Sequence, residues 1–165
     1  MPTRAAPSVP VMRMTATASQ AAPTTPLVVV GAHLHGEPLH ADLLGLGARF
    51  LRATRTAPVY RMVALPPVPG HPPLPARPGL IRDPAAGLAV EVEVYELPVA
   101  ALGELVLAVA PPLAIGTVAL DGGGQAPGFV CEGYAREGVP DISHYGGWRR
   151  YRAAHHGAHP AERPS

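Results

Sequence analysis

The residues able to do chemistry gather around one stretch, Val28-Val29-Val30-Gly31-Ala32-His33-Leu34-His35-Gly36-Glu37-Pro38-Leu39. Three β-branched residues in a row predict a buried strand, and the glycine that follows removes a Cβ where that strand ends. Backbone N–H groups at Gly31 and Ala32 can then approach an anion, with the imidazole of His33 beside them and titrating near neutral pH. The alternative for His33 is a histidine hydrogen-bonded for structure alone. Arg55 and Arg61 are candidate carboxylate clamps, since a guanidinium grips both oxygens at once; a surface position is the usual fate of either. Glu91, Glu93 and Tyr95 alternate with Val90, Val92 and Val94, so they share one strand face. Turned toward a cavity they orient His33 or a substrate, and turned toward water they form a solvated stripe. Tyr60 and Tyr145 either hydrogen-bond a ligand or pack. His33 and His35 project to one side of an extended segment with His40 close by, but no motif places a further ligand, so neither a metal nor a cofactor is expected.

Composition narrows the chemistry. In 165 residues there is room for one core, and 13 basic against 12 acidic residues give a net charge of +1 with no electrostatic case for nucleic acid or an anionic membrane. Every basic residue is arginine, which removes mechanisms that need a lysine base or Schiff base. Cys131 is the only cysteine, so no internal disulfide or cysteine-based zinc site can form; it alternates like a core strand residue. Apolar runs fall far short of the ~20 residues that span a bilayer, and the N-terminus has no apolar signal core, so a cytoplasmic location is expected. No Gly-x-Ser-x-Gly, Walker or dinucleotide motif occurs.

These groups must be positioned by short elements. Residues 1–26 are Ala, Pro, Thr and Ser with little to bury and read as a disordered extension. A domain over 27–152 and a flexible tail over 153–165 follow. After the first strand, Glu37 to Leu46 reads as a helix with proline in its first turn. Residues 47–58 and 60–65 predict two strands close enough to pair. Seven prolines between 66 and 79 predict a surface loop of polyproline character. Residues 79–82 resume a strand, 88–97 form the most regular one, and Pro98 to Val109 reads as a helix stopped by Pro111-Pro112. A hairpin over 115–131 and a closing helix near Trp148 complete the pattern. Six or seven strands with two or three helices and no regular alternation indicate α+β, with the sheet curled into a small barrel.

Several runs also resemble a known family. Val30-Gly31-Ala32-His33-Leu34 with Gly36 and Pro38-Leu39, Arg52 to Pro58 with Tyr60-Arg61, Glu91 to Pro98, Ile115 to Val118, Gly128 to Glu132, and Asp141-Ile142 with Tyr145 to Trp148 resemble the C-terminal domain of allophanate hydrolase. That domain looks like a member of the gamma-glutamylcyclotransferase-like fold. The resemblance implies a mixed barrel whose ligand cavity lies beside the first strand-to-helix turn. In the cyclotransferases a glutamate beyond the long strand and helix is the acid/base; the matching segment here, Val106 to Pro112, holds no carboxylate, which argues against cyclisation. In allophanate hydrolase the amidase domain removes ammonia, and the C-terminal domain is thought to decarboxylate the N-carboxycarbamate produced.

The function expected is therefore decarboxylation of a small N-carboxylated urea-type product delivered by a separate amidase. A noncatalytic assembly module for that amidase and a cyclotransferase-like enzyme are the alternatives. Loss of CO2 from nitrogen needs donors for an anion and an acid for the departing nitrogen. His33 and Glu93 are then the catalytic candidates, and Gly31, Ala32, Leu34, Arg55, Tyr60, Arg61, Glu91 and Tyr145 the substrate-binding ones. Expected partners are a small anionic substrate, an amidase-signature protein and a second copy of the chain in a homodimer.

Overall fold

A computed structural model describes residues 20–156. In chain order the elements are β1 (Thr24–Val29), α1 (His40–Gly45), β2 (Arg49–Arg55), β3 (Tyr60–Leu65), β4 (Arg77–Arg82), β5 (Glu91–Pro98), α2 (Val99–Ala108), β6 (Leu113–Ala119), β7 (Gln125–Cys131) and α3 (Trp148–His156), with 3-10 turns at Gly133–Arg136 and Ser143–Tyr145. Five strands form one sheet in the order β2-β5-β1-β7-β6, and β3 and β4 form a second. The β1–β7 pair is parallel and the other three pairs of this sheet are antiparallel, so the sheet is mixed.

β1 is all apolar after Pro26 because it lies at the centre of the larger sheet, and Leu27, Val28 and Val29 are at most 1% exposed. The two edges of that sheet come together at one end, where Ala57 N–H donates to Ala119 O and Asp121 N–H to Arg55 O, both at 2.9 Å. The architecture is α+β, a curled mixed sheet flanked by three helices, as its alternation pattern requires. Its ladders form two sheets, and an antiparallel bridge between Thr56 and Leu120 joins the two edges of the larger one.

The pairing expected between the strands after 47 and after 60 does not form. β2 pairs with β5 and β3 with β4. Thr56, fully buried, keeps the end of β2 on β5 by donating its N–H to Val90 O (2.8 Å) while its Oγ1 accepts from Val90 N–H (3.0 Å). Pro58 then turns the chain away, since it has no N–H to continue a ladder. β1 opens at Thr24, three residues before the expected domain start: Thr24, Thr25 and Pro26 pair with Pro98, Leu97 and Glu96 although they bury little themselves. Likewise α3 runs past 153 to His156. The rest of the expected extension, 1–19, and of the tail, 157–165, lie outside the described residues. Among the described residues no helix is long and apolar enough to cross a membrane.

Candidate functional site

Between β1 and α1 the chain makes a run of turns, with Leu34 N–H donating to Gly31 O (2.9 Å), Glu37 N–H to Leu34 O (2.9 Å) and Leu39 N–H to Ala32 O (2.8 Å). These turns use up the first part of the helix expected from Glu37, so α1 begins only at His40. The Cβ that Gly31 lacks would lie 2.1 Å from Cδ of Pro78. The absent side chain thus makes room for a proline ring, and the start of β4 packs directly on the end of β1.

That contact brings Arg77 beside His33. Two adjoining hollows, of about 40 and 180 Å3, share His33, Leu39, Arg77, Leu113 and Phe129; Gly31 and Ala32 line the smaller, Leu74, Leu105 and Val109 the larger. The His33 ring stacks on Phe129 with centroids 4.8 Å apart and planes 15° from parallel. Burial lowers its pKa, Asp42 pulls it back up in part and His40 lowers it further, so the imidazole is neutral at pH 7. Arg77 is 8% exposed, and its Nη1 donates to Pro66 O (3.2 Å) and Pro75 O (3.4 Å). Among the described residues it pairs with no carboxylate. Burial depresses its pKa as well, although the guanidinium remains charged. The pocket is therefore an apolar cavity holding one uncompensated cation and one neutral imidazole.

On the other side of the same loop lies a cleft of about 330 Å3, lined by Leu34, Ala53, Thr54, Arg55, Glu91, Val92, Glu93, Trp148 and Arg149. Both of its carboxylates are paired with arginine, while the exposed Arg55 has no carboxylate partner among the described residues. Arg149 Nη2 reaches Glu93 Oε1 at 2.8 Å and Arg150 reaches Glu91 at 2.6 Å. Burial pushes the Glu93 carboxyl up, but hydrogen bonds from His35 N–H, Arg149 and Tyr95 outweigh it and hold Glu93 below the usual carboxylate range. Tyr95, buried and donating to Glu93 at 3.0 Å, is pushed up to about 12. Burial also raises the thiol of Cys131, which leaves it un-ionised and inert. Among the described residues no group of three or more metal-ligating side chains converges.

Residues 25–153 match the family described as allophanate hydrolase C-terminal domain. The chain belongs to that family. It is 42% identical over 131 residues to a urea amidolyase of Saccharomyces cerevisiae, an alignment covering 76% of this chain and 7% of that protein. The solved Kluyveromyces lactis allophanate hydrolase superposes with a TM-score of 0.71 at 36% identity, covering 80% of this chain and 21% of that one. A uropathogenic E. coli-specific protein gives 0.70 at 31% identity, covering 79% of this chain and 97% of that one. The fold alone is shared with an AIG2-like protein of Mus musculus (TM-score 0.53, 22% identity, 72% of this chain and 85% of that one). The chain thus spans a small part of the curated relatives it matches.

Within this allophanate hydrolase C-terminal domain the residues singled out from sequence divide between several places. His33, Gly31 and Ala32 line the apolar pocket, whereas Leu34, Arg55, Glu91 and Glu93 line the charged cleft. Glu93 is 6% and Tyr95 1% exposed, so their strand face is covered and is no solvated stripe. Arg55 donates to Ala89 O at 2.9 Å. Arg61 is taken up by Asp141 (Nε to Oδ2, 2.8 Å) and Ala86 O (3.0 Å). Tyr60, 1% exposed, accepts from Ala119 N–H at 2.8 Å and from Arg82 at 3.1 Å, both contacts that tie strands together. Tyr145 packs among His144, Tyr151 and His155. Two arginines escape sequence reasoning. Arg77 sits at the end of a proline-dense stretch that reads as surface loop, and Arg149 lies in an arginine-rich helix where nothing local separates it from its neighbours.

Proposed function

We propose that this domain decarboxylates a small N-carboxylated urea-type product, N-carboxycarbamate, made by an amidase. The observation that carries this reading is Arg77, a buried guanidinium without a carboxylate partner among the described residues, lining one pocket with a neutral histidine. A buried charge without a counter-ion is unfavourable unless an anion arrives, and a guanidinium fits a carboxylate with two parallel hydrogen bonds. Membership of the allophanate hydrolase family and the urea amidolyase relative make a urea-derived carboxylate the fitting ligand.

In this mechanism one carboxylate of the substrate lies on Arg77, with the Gly31 and Ala32 backbone beside it. The second carboxylate faces the apolar wall of Leu39, Leu105 and Phe129, where a localised charge is poorly solvated and a neutral CO2 is not. The bond from nitrogen to that carboxyl carbon breaks, its electron pair stays on nitrogen, and the nitrogen takes one proton from His33. CO2 and carbamate are the products. The dianionic substrate supplies what the empty pocket withholds, since a nearby negative charge favours imidazolium and so protonates His33 on binding.

The lining of this pocket includes Ala108, Val109 and Ala110 and no carboxylate, which gives gamma-glutamyl cyclisation no base there. The test is to add the purified protein to an amidase that converts allophanate and to follow CO2 release. Acceleration by the wild type and its loss in His33→Ala is the expected result. An unchanged rate with the wild type rejects catalysis and leaves the assembly module for the amidase.

A further inference from the structure

Both backbone polar groups of His35 are held by side chains remote in sequence. Its N–H donates to Glu93 Oε2 at 2.9 Å, and its C=O accepts from Arg149 Nη2 at 2.6 Å. The same Arg149 nitrogen donates to Glu93 Oε1 at 2.8 Å, and Tyr95 Oη donates to Glu93 Oε2 at 3.0 Å. A residue between β1 and α1 is thus clasped by an ion pair that spans β5 and α3. Two positions later Glu37 pairs with Arg152, also on α3. The loop's own turn bonds use Leu34, Glu37 and Leu39 as donors and leave His35 to be fixed from outside. Gly36, with φ of +81°, follows immediately and is a ready pivot once the clasp is gone.

We propose that Glu93 and Arg149 are positioning residues, holding His35 so that the loop aims the His33 imidazole into the pocket it shares with Arg77. This rests on the decarboxylase reading. Neither residue lines that pocket, so neither touches the substrate there. Their action is exerted through two backbone hydrogen bonds placed two residues from the imidazole. The face that carries Glu93 is therefore tied to the site without forming part of it.

The clasp makes a prediction that a purely structural ion pair does not. In Glu93→Gln and Arg149→Gln the released loop misplaces the proton donor but leaves Arg77 in place, so kcat for CO2 release falls by about 10²-fold while KM changes by less than about twofold. Arg149→Lys keeps one donor and restores part of kcat. By NMR, the His33 ring titrates closer to its ordinary value in both glutamine variants, because it leaves its buried seat on Phe129. Loss of activity that follows loss of thermal stability, with the His33 titration unmoved, overturns the proposal. If the wild-type protein releases no CO2, the functional reading fails on its own. The NMR titration still decides the clasp in that case, since an unchanged His33 in the variants rejects it and a moved one sustains it.

Discussion

Two hollows flank the loop that carries His33, and they treat charge in opposite ways. In the cleft beside β5 and α3, Glu93 answers Arg149 and Glu91 answers Arg150, and the carboxylate of Glu93 has a second donor and a third in His35 N–H and Tyr95 Oη. In the pocket beside β4, Arg77 is more buried than Arg149 and, among the described residues, has only two proline carbonyls as partners. A satisfied network specifies structure; an unsatisfied buried cation holds its interaction in reserve for a ligand. Charged residues in a cleft, among them the exposed and unpaired Arg55, are thus a poorer guide to the reacting centre than a buried one left without a carboxylate.

Replacing Arg77 gives the largest expected effect and the most direct way to break this contrast. Arg77→Met removes the anion's partner, and kcat/KM for CO2 release falls by about 10²- to 10³-fold, the scale of a lost charge-assisted pair. Stability is unchanged or higher, because an uncompensated buried charge is exchanged for an apolar chain of similar volume. Arg149→Met does the reverse and lowers the unfolding midpoint by stranding Glu93. If both variants lose equal stability in urea denaturation, the two hollows do not differ in the way described. A smaller effect is expected at the seam that forms the pocket. Gly31→Ala drives a methyl into Pro78 and costs about 1–3 kcal/mol as overpacking, read as a lower urea midpoint.

How far the sequence carries this far-reaching division varies with the range of the signal. β1, β5, α2 and the β6–β7 hairpin lie where periodicity and proline placed them, because alternation and breakers are local. The α+β class follows from the same counts. Strand partners do not, and β2 leaves β3 because the buried Thr56, whose own neighbours do not reveal its partner, holds it to β5. The imidazole of His33 could be singled out by its place after the glycine. The meaning of that glycine was hidden, since Pro78 fills the space assigned to a ligand. Arg77 was hidden for the same reason, because only the β1–β4 contact takes an arginine out of a proline-rich run and buries it.

Tyr60 sharpens the boundary of the site. Its hydroxyl lies between Ala119 N–H and Arg82, and Tyr60 lines neither hollow. Tyr60→Phe leaves a backbone N–H without its acceptor and lowers stability by about 1 kcal/mol in thermal or urea unfolding, with CO2 release unchanged. A fall in kcat without a fall in stability would return Tyr60 to the substrate.

The smallest effects are in the pH dependence of stability, where the two hollows share a sign and separate by pH window. The folded pKa of His33 is lowered below its ordinary 6.5, so as pH falls through 6.5 the unfolded chain takes a proton that the folded chain refuses. Stability is lost from there down to the folded value and no further on this account. The folded pKa of Glu93 is lowered below 4.5, so its contribution is fully present above 4.5 and is lost as pH falls through the folded value. Asp83, Glu96 and Asp141 are lowered too and share that acid window. Urea midpoints measured across pH in His33→Leu should therefore flatten the curve just below 6.5 and leave the acid limb alone, while Glu93→Gln should shallow the acid limb and, because the freed His33 titrates closer to its ordinary value, flatten the curve below 6.5 as well. A Glu93→Gln curve that shallows in the acid limb alone would mean that the clasp does not hold the His33 ring, and that the charged cleft and the apolar pocket are energetically separate.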